Sequence, residues 1–169
     1  MIDTLLRDLR QPEYIHVLLN PLPVYGLLVG WIGLLIAICL RSRAATIATL
    51  AIVLISAVSA WPVYALGEQA YDRVLTMTDD PGHAWLDEHR DRGEDLIYFF
   101  HALAVLTAIA IFAPIKWPKS SVPLAFAVLL LGAVVFGMGT YIAYAGGKVR
   151  HREFRNEPPP PLRPEHEHD

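Results

Sequence analysis

The chain has 169 residues, of which 54% are hydrophobic and 18% charged, with a net charge of −3 and a mean hydropathy of +0.36. That balance excludes an ordinary soluble domain, and neither the slight charge nor any basic stripe among aromatics offers nucleic acid a surface. One cysteine, Cys39, excludes a disulfide framework and a Cys-based metal motif; within its apolar run it reads as a small buried or lipid-facing residue.

The charges are segregated along the chain. No Asp, Glu, Lys or Arg occurs between Ala44 and Gly67 or between Ile97 and Ile115. After an extramembrane segment, 1–13, four apolar runs follow at about 21–40, 44–66, 96–113 and 122–145. A spanning helix needs about 20 apolar residues, so three are long enough outright and the third borrows a turn from the segment before it. Only helices or closed barrels satisfy their backbone in lipid. The expected fold is all-α, an integral membrane four-helix bundle over residues 14–150.

The first run opens on "YIHVLLNPLPVYG", where His16, Asn20, Pro21 and Pro23 shape the helix entry. The run is too long for a signal peptide and "RSRAAT" gives no cleavage site, so an uncleaved first helix is expected. Small residues four apart predict close helix packing: Gly26 and Gly30 with Gly33 beyond, Ser56 and Ala60, and Ala133 and Gly137. "RSR" and "PIKWPKSS" are tight hairpin loops.

Residues 67–95 form a long extramembrane loop with helical character. "LGEQAYDRVLTM" extends helix two, "DDPG" at 79–82 is a turn and cap, and Trp85, Leu86, His89, Leu96 and Ile97 recur at near-helical spacing, interrupted by Gly93. Beyond helix four, 151–169 is Pro-rich and expected to be extended or disordered, with His166 and His168 solvated.

All 17 acidic residues lie on the side of the long loop and the termini, while the hairpins carry only Arg41, Arg43, Lys116 and Lys119. Two short, purely basic loops point to the cytoplasm, which puts both termini outside. The raw Lys and Arg count, ten against four, points the other way.

Histidines carry the chemical interest. His101 lies inside a membrane run, where an ionisable side chain is costly and therefore a candidate for function. His16 stands at the mouth of another run, and two imidazoles on different helices are what an axially bound haem b requires. His16 and His101 are the expected cofactor-binding pair and ligands to the haem iron. His89 and Glu68 are the weaker candidates for a non-haem transition metal, followed by His151 and His83. Trp61, Tyr64, Tyr141 and Tyr144 form an aromatic belt at the same end. The carboxylates Glu68, Asp72, Asp87, Glu88, Glu94 and Asp95 read as solvated surface. No phosphate-cradling glycine loop, Gly-x-Ser-x-Gly elbow or HExxH is present, so a redox or structural subunit is expected in place of a catalyst.

With His16 seven residues before Pro23, His101 in "FFHALAVL", and Gly139, Ile142, Tyr144 and Gly147 in "GTYIAYAGG", the chain resembles a bacterial four-helix membrane family catalogued as domain-of-unknown-function 2231. The resemblance covers about residues 14–150. Where that family often has two further histidines, Pro21 and Gly146 stand here, which halves a four-histidine site and leaves enough for one haem. The resemblance implies a bacterial inner-membrane setting, an outward-facing histidine end and a periplasmic c-type cytochrome as partner. Three functions stay open: a haem b electron relay, a non-haem metal protein, and a structural or assembly subunit with no cofactor, docked in a larger membrane complex.

Overall fold

The computed structural model describes residues 2–161, apart from the side chains of residues 3–5. These residues are almost entirely helical, with no strand among them: α1 Ile2–Asp8, α2 Pro12–Leu19, α3 Leu27–Cys39, α4 Arg43–Leu75, α5 Asp80–Lys116 and α6 Ser121–Arg150. A π-helical turn, Leu22–Gly26, joins α2 to α3 where Pro21 and Pro23 remove two backbone donors from the ladder. Short 3₁₀ turns at Pro118–Ser120 and Arg152–Phe154 flank α6.

Four stretches are long and apolar enough to cross a membrane: Pro12–Cys39, Arg43–Leu75, Asp80–Lys116 and Pro118–Arg150. They make an all-α four-helix bundle. Exposed Val29, Ile36, Ile55, Val105, Phe112 and Leu130 clothe its outer surface. Leu27, Leu34, Leu50, Val53, Leu103, Val128 and Val135 fill its interior. Between helices in lipid there is no hydrophobic drive, so close approach does the work. A Cβ on Gly30 would lie 3.0 Å from the Val53 backbone nitrogen, which is how α3 settles onto α4. Trp31 crosses from α3 to α6 and donates its indole N–H to the Leu129 carbonyl at 2.8 Å.

Two expectations need correction. The helical character expected of 67–95 is found, with α4 running on to Leu75, but Gly93 does not interrupt it: α5 starts at Asp80 and passes through Gly93 without a break. Ser42 caps α4 through Ala45 N–H, and Asp79 caps α5 through Gly82 N–H, so both long helices have defined starts. The second correction concerns α6, where Ala133 and Gly137 face outward and a Cβ on Gly137 would meet nothing within 4 Å. The glycines of α6 that pack are Gly132, against Trp31, and Gly139, against Phe100 and Val24.

At about 1.5 Å per residue the 33 residues of α4 span about 50 Å, against a hydrocarbon core of about 30 Å. The excess builds a second layer at the end away from the hairpins. Its core is Trp85, Leu86, Ala145 and Val149, with Tyr71, Val74 and Leu75 against it. Lys148 is sealed within this layer, its ammonium over the Trp85 and Tyr144 rings and bonded to Glu157. Arg155 closes the end of α6 by donating to the carbonyls of Lys148 and Val149 and by pairing with Asp79. Of the tail beyond α6, His166 and His168 lie outside the described residues.

Candidate functional site

Where the bundle passes into this second layer, the helices separate around a cavity of about 770 Å³. Its floor is apolar, with Pro23, Val24, Ala60, Ile97 and Phe100; its rim is polar, with Glu13, Glu68, Arg90, Arg150 and His151. Two histidines enter it from opposite halves of the bundle. His16 comes from α2 and His89 from α5, and their ring centres stand 6.3 Å apart with the planes at 81°.

Each ring is held in the same way. His16 donates Nδ1–H to the Val63 carbonyl of α4 at 2.8 Å, and His89 donates Nδ1–H to the Ile142 carbonyl of α6 at 2.9 Å. A carbonyl only accepts, so these bonds fix the tautomer and leave each Nε2 with its lone pair. Four residues after each carbonyl comes a glycine. A Cβ on Gly67 would lie 3.0 Å from His16 Cε1, and one on Gly146 would lie 2.9 Å from His89 Cε1. The helix groove over Val63–Gly67 and the one over Ile142–Gly146 are therefore matching slots, and any side chain in place of either glycine would push the ring away.

Salt bridges hold the slots in position. Arg73 of α4 meets Glu13 of α2 at 2.6 Å, beside His16. Arg90 grips Glu68 through two bonds of 2.9 and 2.8 Å and lies over the Tyr71 ring, while Tyr71 donates to Asp87. Arg92 donates to the Tyr141 carbonyl at 2.8 Å and covers that residue's ring, tying α5 to α6.

His16 thus lies at the cavity as expected, but its companion is His89. His101 does not line the cavity; its ring lies 5.7 Å from Trp61 and 6.3 Å from Tyr98. The reason is depth. Twelve residues separate His89 from His101 on one helix, about 18 Å along its axis. His16, Gly67, His89 and Gly146 are all about 23–27 residues from the hairpin end of their own spans, about 35–40 Å, so they share one level. Counting rise from the two basic hairpins is the sequence signal that picks out His89 over His101.

The remaining candidates have other duties. Glu68 is occupied by Arg90, and among the described residues no three of His, Cys, Asp and Glu gather as a metal-holding group. His83 donates Nε2–H to the Leu75 carbonyl at 2.9 Å, closing the end of α4. His151 sits on the rim, bonded to Glu153 at 2.9 Å. Tyr64 lines the cavity, whereas Trp61, Tyr141 and Tyr144 are exposed at the bundle surface. Compared with family models, with curated proteins and with solved structures, the chain matches none.

Proposed function

We propose that this multi-pass membrane protein is a haem b-binding subunit in which His16 and His89 would hold the iron, relaying electrons between the membrane and a carrier on the cavity side. The observation that carries this reading is the pair of imidazoles lining one cavity with both Nδ1–H groups already committed to carbonyls. Their ring centres stand 6.3 Å apart, close enough that both Nε2 atoms would reach one metal ion. Metal-bound histidines characteristically give their other N–H to a carbonyl or carboxylate, which orients the ring and raises its basicity.

When bound, haem b supplies a one-electron ferric–ferrous couple. The chain's own residues supply the rest. Val63 and Ile142 aim the rings, Ile97 and Phe100 close the apolar floor against water, and Arg90 and Arg150 bring cations to the rim. The basic hairpins favour a cytoplasmic position for that end, so the cavity and the termini face outward. In the bacterial inner-membrane setting that the family resemblance implies, the partner on that face is a periplasmic c-type cytochrome.

The test is a dithionite-reduced minus air-oxidised optical spectrum of the detergent-purified protein produced with ample haem. Sharp α and Soret bands are expected, lost in His16→Ala and His89→Ala and retained in His101→Ala. A flat spectrum from the folded wild-type chain would overturn the proposal; loss of the bands in His101→Ala would overturn the assignment of His89.

A further inference from the structure

His101 remains unexplained by the cavity. It is half-exposed on the outer face of the bundle, and neither ring nitrogen has a hydrogen-bond partner among the described residues. Measured from the hairpin end of α5 it lies about 22 Å along the axis, which is inside a hydrocarbon core of about 30 Å. A polar ring facing lipid at that depth with both nitrogens unsatisfied is a costly placement. Its neighbours are two rings, Trp61 at 5.7 Å and Tyr98 at 6.3 Å, themselves 56% and 69% exposed. Both are about 27 Å from the hairpin end of their helices, about 5 Å beyond His101 and near the outer edge of that core.

We propose that His101, Trp61 and Tyr98 form a docking site for the head group of a membrane quinone. The ligand must approach from lipid, accept or donate a hydrogen bond at imidazole height, and present a flat ring to two aromatic faces. A quinone head group carries two ring oxygens for the first task and a π-face for the second, while its isoprenoid tail stays in the bilayer beside Val58 and Val105, which are both exposed. The site also has a way inward. Trp61 stands 6.5 Å from Tyr64, and Tyr64 lines the His16–His89 cavity, so two aromatic side chains separate the docked ring from that cavity.

Docking does not depend on what the cavity holds, and the experiment keeps the two apart. The full chain in lipid nanodiscs is photolabelled with an azido-quinone, the labelled peptides are mapped, and haem content is read on the same sample. Labelling is expected on the peptides around residues 58–61 and 98–105, displaced by excess unlabelled short-chain quinone. It should fall at least tenfold in His101→Ala, stay within twofold in His101→Gln, which still hydrogen-bonds, and stay unchanged in Leu130→Ala, an exposed position on α6. Haem content should be the same in all of them. Label spread over the lipid-facing helices without competition would overturn the proposal. So would equal labelling of His101→Ala and wild type, or a cross-link from this face to a second copy of the chain.

Discussion

Replacing Gly146 with alanine separates the fold from the ligand geometry. A Cβ at this position would lie 2.9 Å from Cε1, 3.0 Å from Nδ1 and 3.3 Å from Nε2 of His89. Three ring atoms are crowded at once, so the ring as a whole has to move. The ring must retreat by about half an ångström or more, which stretches the 2.9 Å bond to the Ile142 carbonyl past useful length. Losing that bond costs about 1 kcal/mol. Against it, alanine is favoured over glycine within a helix by about 1 kcal/mol. The two terms nearly cancel in overall stability, while only the first acts on the cavity. Disturbing the group that orients a metal-bound histidine typically weakens metal affinity about 10–100-fold. Gly146→Ala should therefore melt within about 1 kcal/mol of wild type yet lose most of its haem under limiting supply.

Gly137→Ala is the matched control. It lies on the same helix with nothing within 4 Å of its Cβ, and should be neutral or slightly stabilising with full haem content. Thermal unfolding in detergent and the pyridine haemochrome ratio measure the two quantities on one preparation. If Gly146→Ala binds haem as tightly as Gly137→Ala, His89 is not held as a ligand by this slot and the reasoning fails.

Two further outcomes follow from the geometry. The imidazole planes are 81° apart, so the ferric protein should show the large-gmax low-spin signal of crossed ligand planes by electron paramagnetic resonance, and a well-resolved rhombic spectrum would contradict it. At Asp79, desolvation alone would raise the carboxyl pKa, but the bonds and charges of Arg155 and Arg152, with Gly82 N–H, outweigh it and hold the carboxyl below its ordinary value. A lowered folded-state pKa means that the unfolded chain binds the proton first, so this clamp is fully formed above about pH 4 and is lost as pH falls through the folded value. Amide exchange at the start of α5 should accelerate below that point in wild type, and an Asp79→Asn variant should show no such acid-dependent step.

The membrane fold was legible because its signal is long and redundant: four apolar runs, two basic hairpins and segregated acids point to one bundle. Helix ends were harder to read. The polar second layer continues α4 and α5 without any apolar run, and Gly93 breaks the pattern on paper but not in the helix, because neighbouring turns of α5 are pinned by Arg90 and Arg92. That break mattered at the site. With the helix of 67–95 expected to be interrupted at Gly93, the rise from His89 to the hairpin could not be counted, and His101, inside an apolar run, stood as the partner for His16. Gly146 was read as a missing histidine; its lack of a side chain is what lets His89 reach the Ile142 carbonyl. Such complementarity is between helices far apart in sequence, and no local pattern encodes it.

The two slots also explain why helices project so far beyond the bilayer. Each slot belongs to one helix pair, α2 on α4 for His16 and α5 on α6 for His89, and each is pinned within its pair, by Glu13–Arg73 in the first and by Arg92 in the second. Neither pair fixes the distance between the rings. That distance is set where α4 meets α5, by Arg90 on Glu68 and by Tyr71 on Asp87, and both contacts lie in the projecting layer beside the cavity. In a bundle trimmed to its apolar spans, the contacts between the two sides would be side-chain packing in lipid and the single Trp31–Leu129 hydrogen bond, which together leave room for small shifts in height. Multidentate polar contacts are far less tolerant of such shifts. The acidic and basic residues of 67–95 thus brace the two histidine slots with their ring centres 6.3 Å apart, and if the proposed haem is held there, that spacing is what the brace protects.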